Sequence, residues 1–150
     1  MMVKTTKEKL MESINESKEL YHSLVLLVGP SDIGNETALN AIAEELDQHP
    51  INLNLELSKR LLEMTNKKRA LKITEKLDEI IAPFHDYAIL DFIEILFDVS
   101  LKQDPLALLK RMSRNRIVVA SWNGTIENEK LTYAEPGHPE YRVYDISDIQ

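Results

Sequence analysis

A glycine-containing segment follows the first strongly apolar run of the chain and has the spacing of a phosphate-binding loop. The run Ser23–Val28 (SLVLLV) ends at Gly29, and a second glycine, Gly34, follows it closely. In a Gly-x4-Gly segment between a strand and a helix, backbone N–H groups converge on an anion, and the helix N-terminus adds partial positive charge. The predicted nucleotide-binding residues are Gly29, Pro30, Ser31, Asp32, Ile33, Gly34, Asn35, Glu36 and Thr37.

The residues after the second glycine depart from a working phosphate loop. Such a loop continues with a lysine, which neutralises phosphate oxygens, and a Ser or Thr, whose hydroxyl ligates Mg²⁺. Asn35 and Glu36 stand at those positions, and Thr37 supplies a hydroxyl one place late. Because a charge-assisted hydrogen bond contributes about 1.5–3 kcal/mol, loss of the lysine weakens phosphate binding about 10- to 150-fold. ATP and Mg²⁺ are therefore expected to bind weakly, and the chain is not expected to be an active ATPase.

The same residues also suit an ordinary helix start that binds no ligand. Asn35 is a good helix cap, and Glu36 in the first helical turn complements the helix dipole.

Polar residues also follow two later apolar runs. Tyr87–Leu90 is followed by Asp91, and Ile117–Ser121 is followed closely by Asn123. Ligands of open α/β sheets bind at the carboxyl ends of the strands, so Asp91 is the candidate to position Mg²⁺ and Asn123 the candidate γ-phosphate sensor. The alternatives are that Asp91 caps a turn and that Asn123 forms a hairpin turn with Gly124.

The position after Asp91 lacks the glutamate that polarises water in many nucleotide hydrolases. Phe92 stands there, and the nearest other carboxylates are those of Glu94 and Asp98. The sequence leaves open whether Asp91 or Asp98 is the functional carboxylate.

Buried-strand patterns alternate with helical periodicity along the chain, which favours an α/β fold with a mainly parallel sheet. Residues 1–20 are predicted to form an N-terminal helical segment, with the helix over 5–20, and residues 21–150 are predicted to form one domain. Asp104 and Pro105 have the residue types of a helix cap and a first helical position. The other predicted helices cover 36–47, 56–65 and 67–82, and further short strands are predicted at 52–55, 131–133 and 141–146.

Composition limits the classes of function. The chain has 150 residues, 43% of them hydrophobic and 29% charged, as expected of one globular domain. Its net charge of −7 argues against a general nucleic-acid or membrane binder. The absence of cysteine excludes disulfides, thiolate nucleophiles and cysteine zinc sites. No apolar run reaches the roughly 18 residues of a membrane span, and a cytoplasmic location is expected.

Charge is segregated along the chain. No Lys or Arg lies between Lys18 and Lys59, whereas basic residues are dense from Lys59 to Lys76. This basic stretch is either a solvated helical face or a docking surface for an acidic partner or a nucleic-acid backbone. The partner-binding candidates are Lys67, Lys68 and Arg69.

Five segments together resemble one known family. They are LVLLVGP (24–30), INLNLELSKRLLE (51–63), ILDFIEILFD (89–98), DPLALLKRMSRNRIVVASWNGT (104–125) and LTYAEPGHPEYRVY (131–144). The chain resembles the small P-loop-containing protein of BREX phage-defence systems of the third type, the BrxF family. The resemblance implies a P-loop NTPase-like (RecA-like) three-layer fold and a place in a multi-protein complex that restricts phage.

The family pattern is present at Gly29, Gly34 and Asp91 and absent at Asn35 and Glu36. The resemblance therefore implies a subunit of a phage-defence complex, and the departure at Asn35 and Glu36 predicts a degenerate nucleotide-binding site and a role mainly in protein–protein assembly. Its expected partners are other subunits of the defence system and further copies of itself, with nucleic acid contacted only indirectly and no membrane. The alternatives are a genuine ATP-binding NTPase subunit and an adaptor that contacts DNA through its basic stretch.

Overall fold

The chain forms a seven-stranded sheet in a computed structural model that describes residues 2–4, 12, 14–16, 18, 23–29, 33–134 and 142–145. The order in space is β1-β2-β5-β4-β3, with β6 between β5 and β7. Neighbours among β1 to β5 run parallel, whereas β6 runs antiparallel to both β5 and β7. The strands are β1 (Met2–Lys4), β2 (Leu24–Gly29), β3 (Ile51–Asn52), β4 (Tyr87–Asp91), β5 (Ile117–Glu127), β6 (Lys130–Tyr133) and β7 (Arg142–Asp145).

Helices connect the parallel strands. Asp104 caps the last of them by accepting the N–H groups of Leu106 and Ala107, and Pro105 occupies its first position, which confirms that prediction. The α-helices are α1 (Ile33–Glu45), α2 (Leu53–Leu61), α3 (Asn66–Ile81) and α4 (Pro105–Met112). Two short 3-10 helices, Glu94–Phe97 and Val99–Leu101, lie between β4 and α4.

Two core clusters hold helices against the sheet. Side chains of a strand alternate between its faces, and the apolar run of β2 is buried along its length, as its pattern predicted. Leu26 and Val28 belong to the larger cluster, which contains α2, α3 and α4, whereas Val25 and Leu27 belong to the smaller cluster, which contains α1. Helix α1 therefore packs on one face of the sheet and the other three helices pack on the opposite face.

The prediction of a RecA-like fold with a mainly parallel sheet is wrong, because the sheet is mixed. Strand β5 continues to Glu127 and forms an antiparallel ladder with β6, to which β7 adds a further antiparallel strand. The predicted turn at Asn123 and Gly124 is also wrong, because both residues lie inside β5. The turn falls at Asn128 and Glu129, whose φ angles of 51° and 61° suit a two-residue hairpin loop.

Gly124 has a packing role in this ladder. A Cβ atom at residue 124 would overlap the carbonyl oxygen of Thr132 on β6. Glycine is needed there because the two backbones approach closely, and not because a turn requires its conformational freedom.

The antiparallel extension is anchored by an aromatic cluster. Tyr133 stacks on Phe97, and the ring of Trp122 meets Phe97, Tyr133 and Tyr144 edge-on at centroid distances of 5.3, 5.7 and 5.9 Å. The buried indole Nε1 donates a hydrogen bond to the Thr132 carbonyl at 2.8 Å. Trp122 is thus a core residue, as its sequence context indicated.

The segment 52–55, predicted as a strand, contains a helix start instead. Strand β3 ends at Asn52, whose side chain accepts the N–H of Leu55 at 3.0 Å and caps α2. Leu53, Leu57 and Leu61 are buried, and their spacing of four places them on one helical face.

The predicted N-terminal helix lies largely outside the described residues. Residues 12 and 14–16 are helical, and Ile14 is buried in the smaller core cluster. Strand β1 pairs with β2 and was not predicted.

Candidate functional site

The carboxyl ends of the parallel strands bring three of the predicted site residues to one edge of the sheet. Gly29 at the end of β2 pairs with Asn123 of β5, and Asn52 of β3 pairs with Asp91 of β4. Ser121 of β5 donates its hydroxyl to Asp91 Oδ1 at 3.1 Å, which joins the two central strands. Gly29, Asp91 and Asn123 therefore share the sheet edge that binds ligands in many α/β proteins.

The polar side chains of this edge lie on the α1 face of the sheet. Ile89 and Val119 belong to the core cluster beneath α1. Because alternate residues of a strand share a face, Asp91 lies on the face of Ile89, and Ser121 and Asn123 lie on that of Val119. The edge thus places a carboxylate, a hydroxyl and an amide on the face of the helix that follows the glycine segment.

The structure describes only part of that segment. Gly29 ends β2, and helix α1 begins at Ile33, so the backbone of 33–36 forms its first turn. The interpretation of Asn35 as the cap is wrong, because Asn35 lies inside the helix. Thr37 is exposed one turn into α1. The predicted loop residues Pro30, Ser31 and Asp32 lie outside the described residues.

Asp91 has a local structural role. Its Oδ1 atom accepts the N–H of Phe92 at 2.9 Å in addition to the Ser121 hydroxyl. Phe92 has a φ of 53°, a left-handed conformation that is rare for a bulky residue, and its side chain is 43% exposed. The carboxylate therefore stabilises the sharp bend after β4, which is the turn-capping alternative noted from the sequence.

Asn54 organises the segment beyond this bend. Its side-chain oxygen accepts the N–H of Ile95 at 2.7 Å, its amide donates to Glu94 Oε2 at 3.0 Å, and its own N–H donates to the Phe92 carbonyl. The sequence did not single out Asn54, because the alternation of Asn and Leu over 52–55 favours a strand. The amide holds the start of α2 against the bend and keeps Glu94 within the same network.

Asp98 serves a different purpose from Asp91. Its Oδ1 atom accepts both the N–H and the hydroxyl of Ser100, at 2.9 and 2.7 Å, and caps the second 3-10 helix. Of the two carboxylates that the sequence left open, only Asp91 belongs to the sheet edge.

The described part of the chain contains no cluster of three or more His, Cys, Asp or Glu side chains arranged to hold a metal ion. Asp91 makes no ion pair with any residue in that part. From the described residues of this edge, a Mg²⁺ ion would receive one carboxylate, that of Asp91, and phosphate oxygens and water could serve as further ligands.

Much of the positive charge predicted at 59–76 is balanced by neighbouring acids. Arg60 bridges Glu56 of its own helix and Glu79 of α3, at 3.0 and 3.6 Å. The hydrogen bond from Arg60 and the nearby charge of Lys59 lower the pKa of the Glu56 carboxyl. Two further pairs lie along α3: Lys72 with Glu75, and Lys76 with Glu79.

Arg69 differs from Lys67 and Lys68, its neighbours in the sequence, because its side chain bonds to backbone groups of its own chain. Its Nε donates to the Met64 carbonyl at 3.0 Å and its Nη2 donates to the Leu62 carbonyl at 3.2 Å. These bonds satisfy backbone groups that follow α2. Lys67 and Lys68 are exposed and make no ion pair with any described residue.

Two leucines are exposed beside these lysines. Leu62 is 72% and Leu71 is 75% exposed. Leu62 and Lys68 line one open cleft between α2 and α3, and Leu71 lies one helical turn after Lys67 and Lys68 on the same face of α3. We call Leu62, Lys67, Lys68 and Leu71 the α2–α3 patch.

None of the helices formed by the described residues is long and apolar enough to span a bilayer. Comparison of the chain with family models, with curated proteins and with solved structures gave no match. The resemblance noted from the sequence therefore stays a prediction.

Substitution of Asp91 should show whether the fold needs its hydrogen bonds or its negative charge. Asp91→Ala removes the acceptor of two hydrogen bonds and should lower the free energy of unfolding by about 1–3 kcal/mol. Asp91→Asn keeps an oxygen that can accept both bonds and should cost less than about 1 kcal/mol. Urea denaturation measures both changes. An Asn variant as unstable as the Ala variant would show that the negative charge, and not the hydrogen bonds, is what the sheet edge requires.

Proposed function

We propose that this chain is a non-catalytic subunit of a phage-defence complex in the cytoplasm, and that it acts through protein–protein assembly while retaining a degenerate nucleotide-binding site. The observation that carries the assembly role is the α2–α3 patch, where two exposed leucines adjoin two lysines without ion pairs in the described part of the chain. The phage-defence setting rests on the family resemblance of the sequence.

The two lysines of the patch do not stabilise the helix in which they lie. Lys67 and Lys68 occupy the first turn of α3, which contains no acidic residue. The positive end of a helix dipole disfavours cations by about 0.3–1 kcal/mol each. In the isolated domain the two lysines therefore lower the stability of α3. An acidic partner bound beside them would offset this cost.

The sheet edge supports a non-catalytic role. Asp91 is hydrogen-bonded to the bend after β4 and to Ser121, and Phe92 stands where a water-polarising glutamate would be expected. The two positions directly after Gly34 carry neither the lysine nor the hydroxyl that phosphate and Mg²⁺ require. A nucleotide-responsive site is the second candidate, favoured by the meeting of Gly29, Asp91 and Asn123 at one edge.

Affinity capture from a host that carries the whole defence system tests the assembly role. The double variant Lys67→Glu with Lys68→Glu should recover at least about tenfold less of the partner proteins, because like charges across an interface cost several kcal/mol. The domain should stay folded, since glutamates in the first turn of α3 complement its dipole. Quantitative mass spectrometry of the captured proteins measures the change.

The matched control is Lys102→Glu with Lys130→Glu, which makes the same change of net charge at two exposed residues outside the patch. This control should recover partners as the natural chain does. Equal recovery by both double variants would show that the patch is a solvated surface. ATP hydrolysis above background that Asp91→Asn abolishes would replace the proposal with the NTPase alternative.

A further inference from the structure

An acidic surface lies at the end of α1. Glu44, Glu45 and Asp47 are exposed, and none of them makes an ion pair with a described residue. Glu44 and Asp47 line a shallow cleft of about 360 Å³ together with Asn40 and Ala43. We call Glu44, Glu45 and Asp47 the α1 acidic end.

The two charged surfaces lie on opposite sides of the sheet. Helix α1 packs on the smaller core cluster, whereas α2 and α3 pack on the larger one across the sheet. The α2–α3 patch therefore cannot reach the α1 acidic end of its own chain. Two copies of the chain can bring one surface of each together, and the opposite surfaces then remain available for further copies.

We propose that the α2–α3 patch binds the α1 acidic end of a second copy of this chain, so that copies associate head to tail. This inference rests on the proposed assembly function and names the partner of the same patch. Lys67 and Lys68 would face Glu44 and Asp47, while Leu62 and Leu71 would supply the desolvated centre that interfaces require. Because the two surfaces differ, the interface is heterologous and leads to chains or rings of more than two copies.

Charge supports a second copy as the occupant. A net charge of −7 makes copies repel one another on average, so association needs surfaces of opposite sign to face each other. The described surfaces provide such a pair in one molecule. The attraction is exposed to solvent, and we expect it to weaken at least about tenfold when the salt concentration is raised well above physiological levels.

Two half-blocked variants test the arrangement by sedimentation velocity at low salt. One variant carries Lys67→Glu with Lys68→Glu and keeps its acidic end, and the other carries Glu44→Lys with Asp47→Lys and keeps its patch. The natural chain should form oligomers larger than dimers as its concentration rises. Each variant alone should be monomeric, because its two surfaces then carry the same sign. An equimolar mixture should associate again, because the patch of each variant is opposite in sign to the α1 end of the other.

A charge-swapped variant provides an internal control. Combining all four substitutions gives the same net charge as the natural chain with the two signs exchanged. Self-association should return in this variant, whereas a fold defect or a general charge effect would not be corrected in this way. Circular dichroism of each variant verifies that it is folded.

The leucines have a matched control of their own. Leu71→Ser should weaken self-association at least about tenfold, as expected for a residue at the centre of an interface. Leu55→Ser removes an exposed leucine outside the patch, which is 49% exposed, and should leave association unchanged.

A natural chain that stays monomeric at every concentration, or a mixture of the two variants that does not associate, would overturn the head-to-tail inference. If the Lys67 and Lys68 variant still lost its partners in affinity capture, the patch would bind a different protein and the proposed assembly function would stand. If the purified chain self-associated but captured only itself from the host, the head-to-tail inference would stand and the proposed function would fail.

Discussion

The double variant Asn35→Lys with Glu36→Thr should bind pyrophosphate and ATP about 10- to 150-fold more tightly than the natural chain, which should show no saturable binding at low micromolar concentration. The two substitutions restore the lysine and hydroxyl that follow the second glycine of a phosphate loop. The backbone of 33–36 forms the first turn of α1, so both new side chains would stand at the positive end of the helix. Isothermal titration calorimetry with and without Mg²⁺ measures the gain.

A control on the same helix separates a restored site from a general effect of charge. Asn40→Lys with Glu44→Thr makes the same two replacements at exposed positions further along α1. This control should bind no more tightly than the natural chain. Equal gains in the two variants, or no gain in either, would show that the backbone between β2 and α1 does not form a phosphate cradle.

Gly124→Ala should destabilise the protein by about 3 kcal/mol, which is large for the addition of one methyl group. The new Cβ would overlap the Thr132 carbonyl oxygen, and backbone atoms of a paired strand cannot rotate out of the way. Relief requires β5 and β6 to separate, which would also lengthen the hydrogen bond from the Trp122 indole to the same carbonyl. The melting temperature should fall by roughly 6–12 °C.

Thr125→Ala is the matched control for this position. Thr125 is the next residue of β5, is exposed and exchanges a side-chain hydrogen bond of 2.7 Å with Thr132. Its loss should cost no more than about 1 kcal/mol. If Gly124→Ala were as mild as this control, the backbones of β5 and β6 would lie further apart than the structure places them.

Several elements were predictable because short-range chemistry determines them. The apolar residues of Ser23–Val28 predicted a strand buried on both faces, which β2 is. Asp104 and Pro105 predicted a helix start because a carboxylate can accept the first free N–H groups and proline lacks one. The rule that parallel strands present their carboxyl ends at one edge also predicted that Asp91 and Asn123 would share an edge.

The mixed sheet could not be predicted in the same way. Asn123-Gly124 has the composition of a favoured turn, yet β5 runs straight through it. Residues distant in the chain decide that these two residues form a strand and not a turn. Trp122 packs among Phe97, Tyr133 and Tyr144 and donates its indole N–H to β6. Burial of that cluster favours the longer strand over the local turn preference.

The chain's sequence by itself determined where its apolar runs and helix caps fall and which residues depart from a phosphate loop at Asn35 and Glu36. Only the tertiary structure decided which charges are available to a partner. Arg60 reaches Glu79 and Arg69 reaches the Leu62 carbonyl, whereas Lys67 and Lys68 find no ion pair among the described residues. A basic run in the sequence cannot distinguish these cases, because an ion pair depends on a separation of a few ångströms that folding sets between residues distant along the chain.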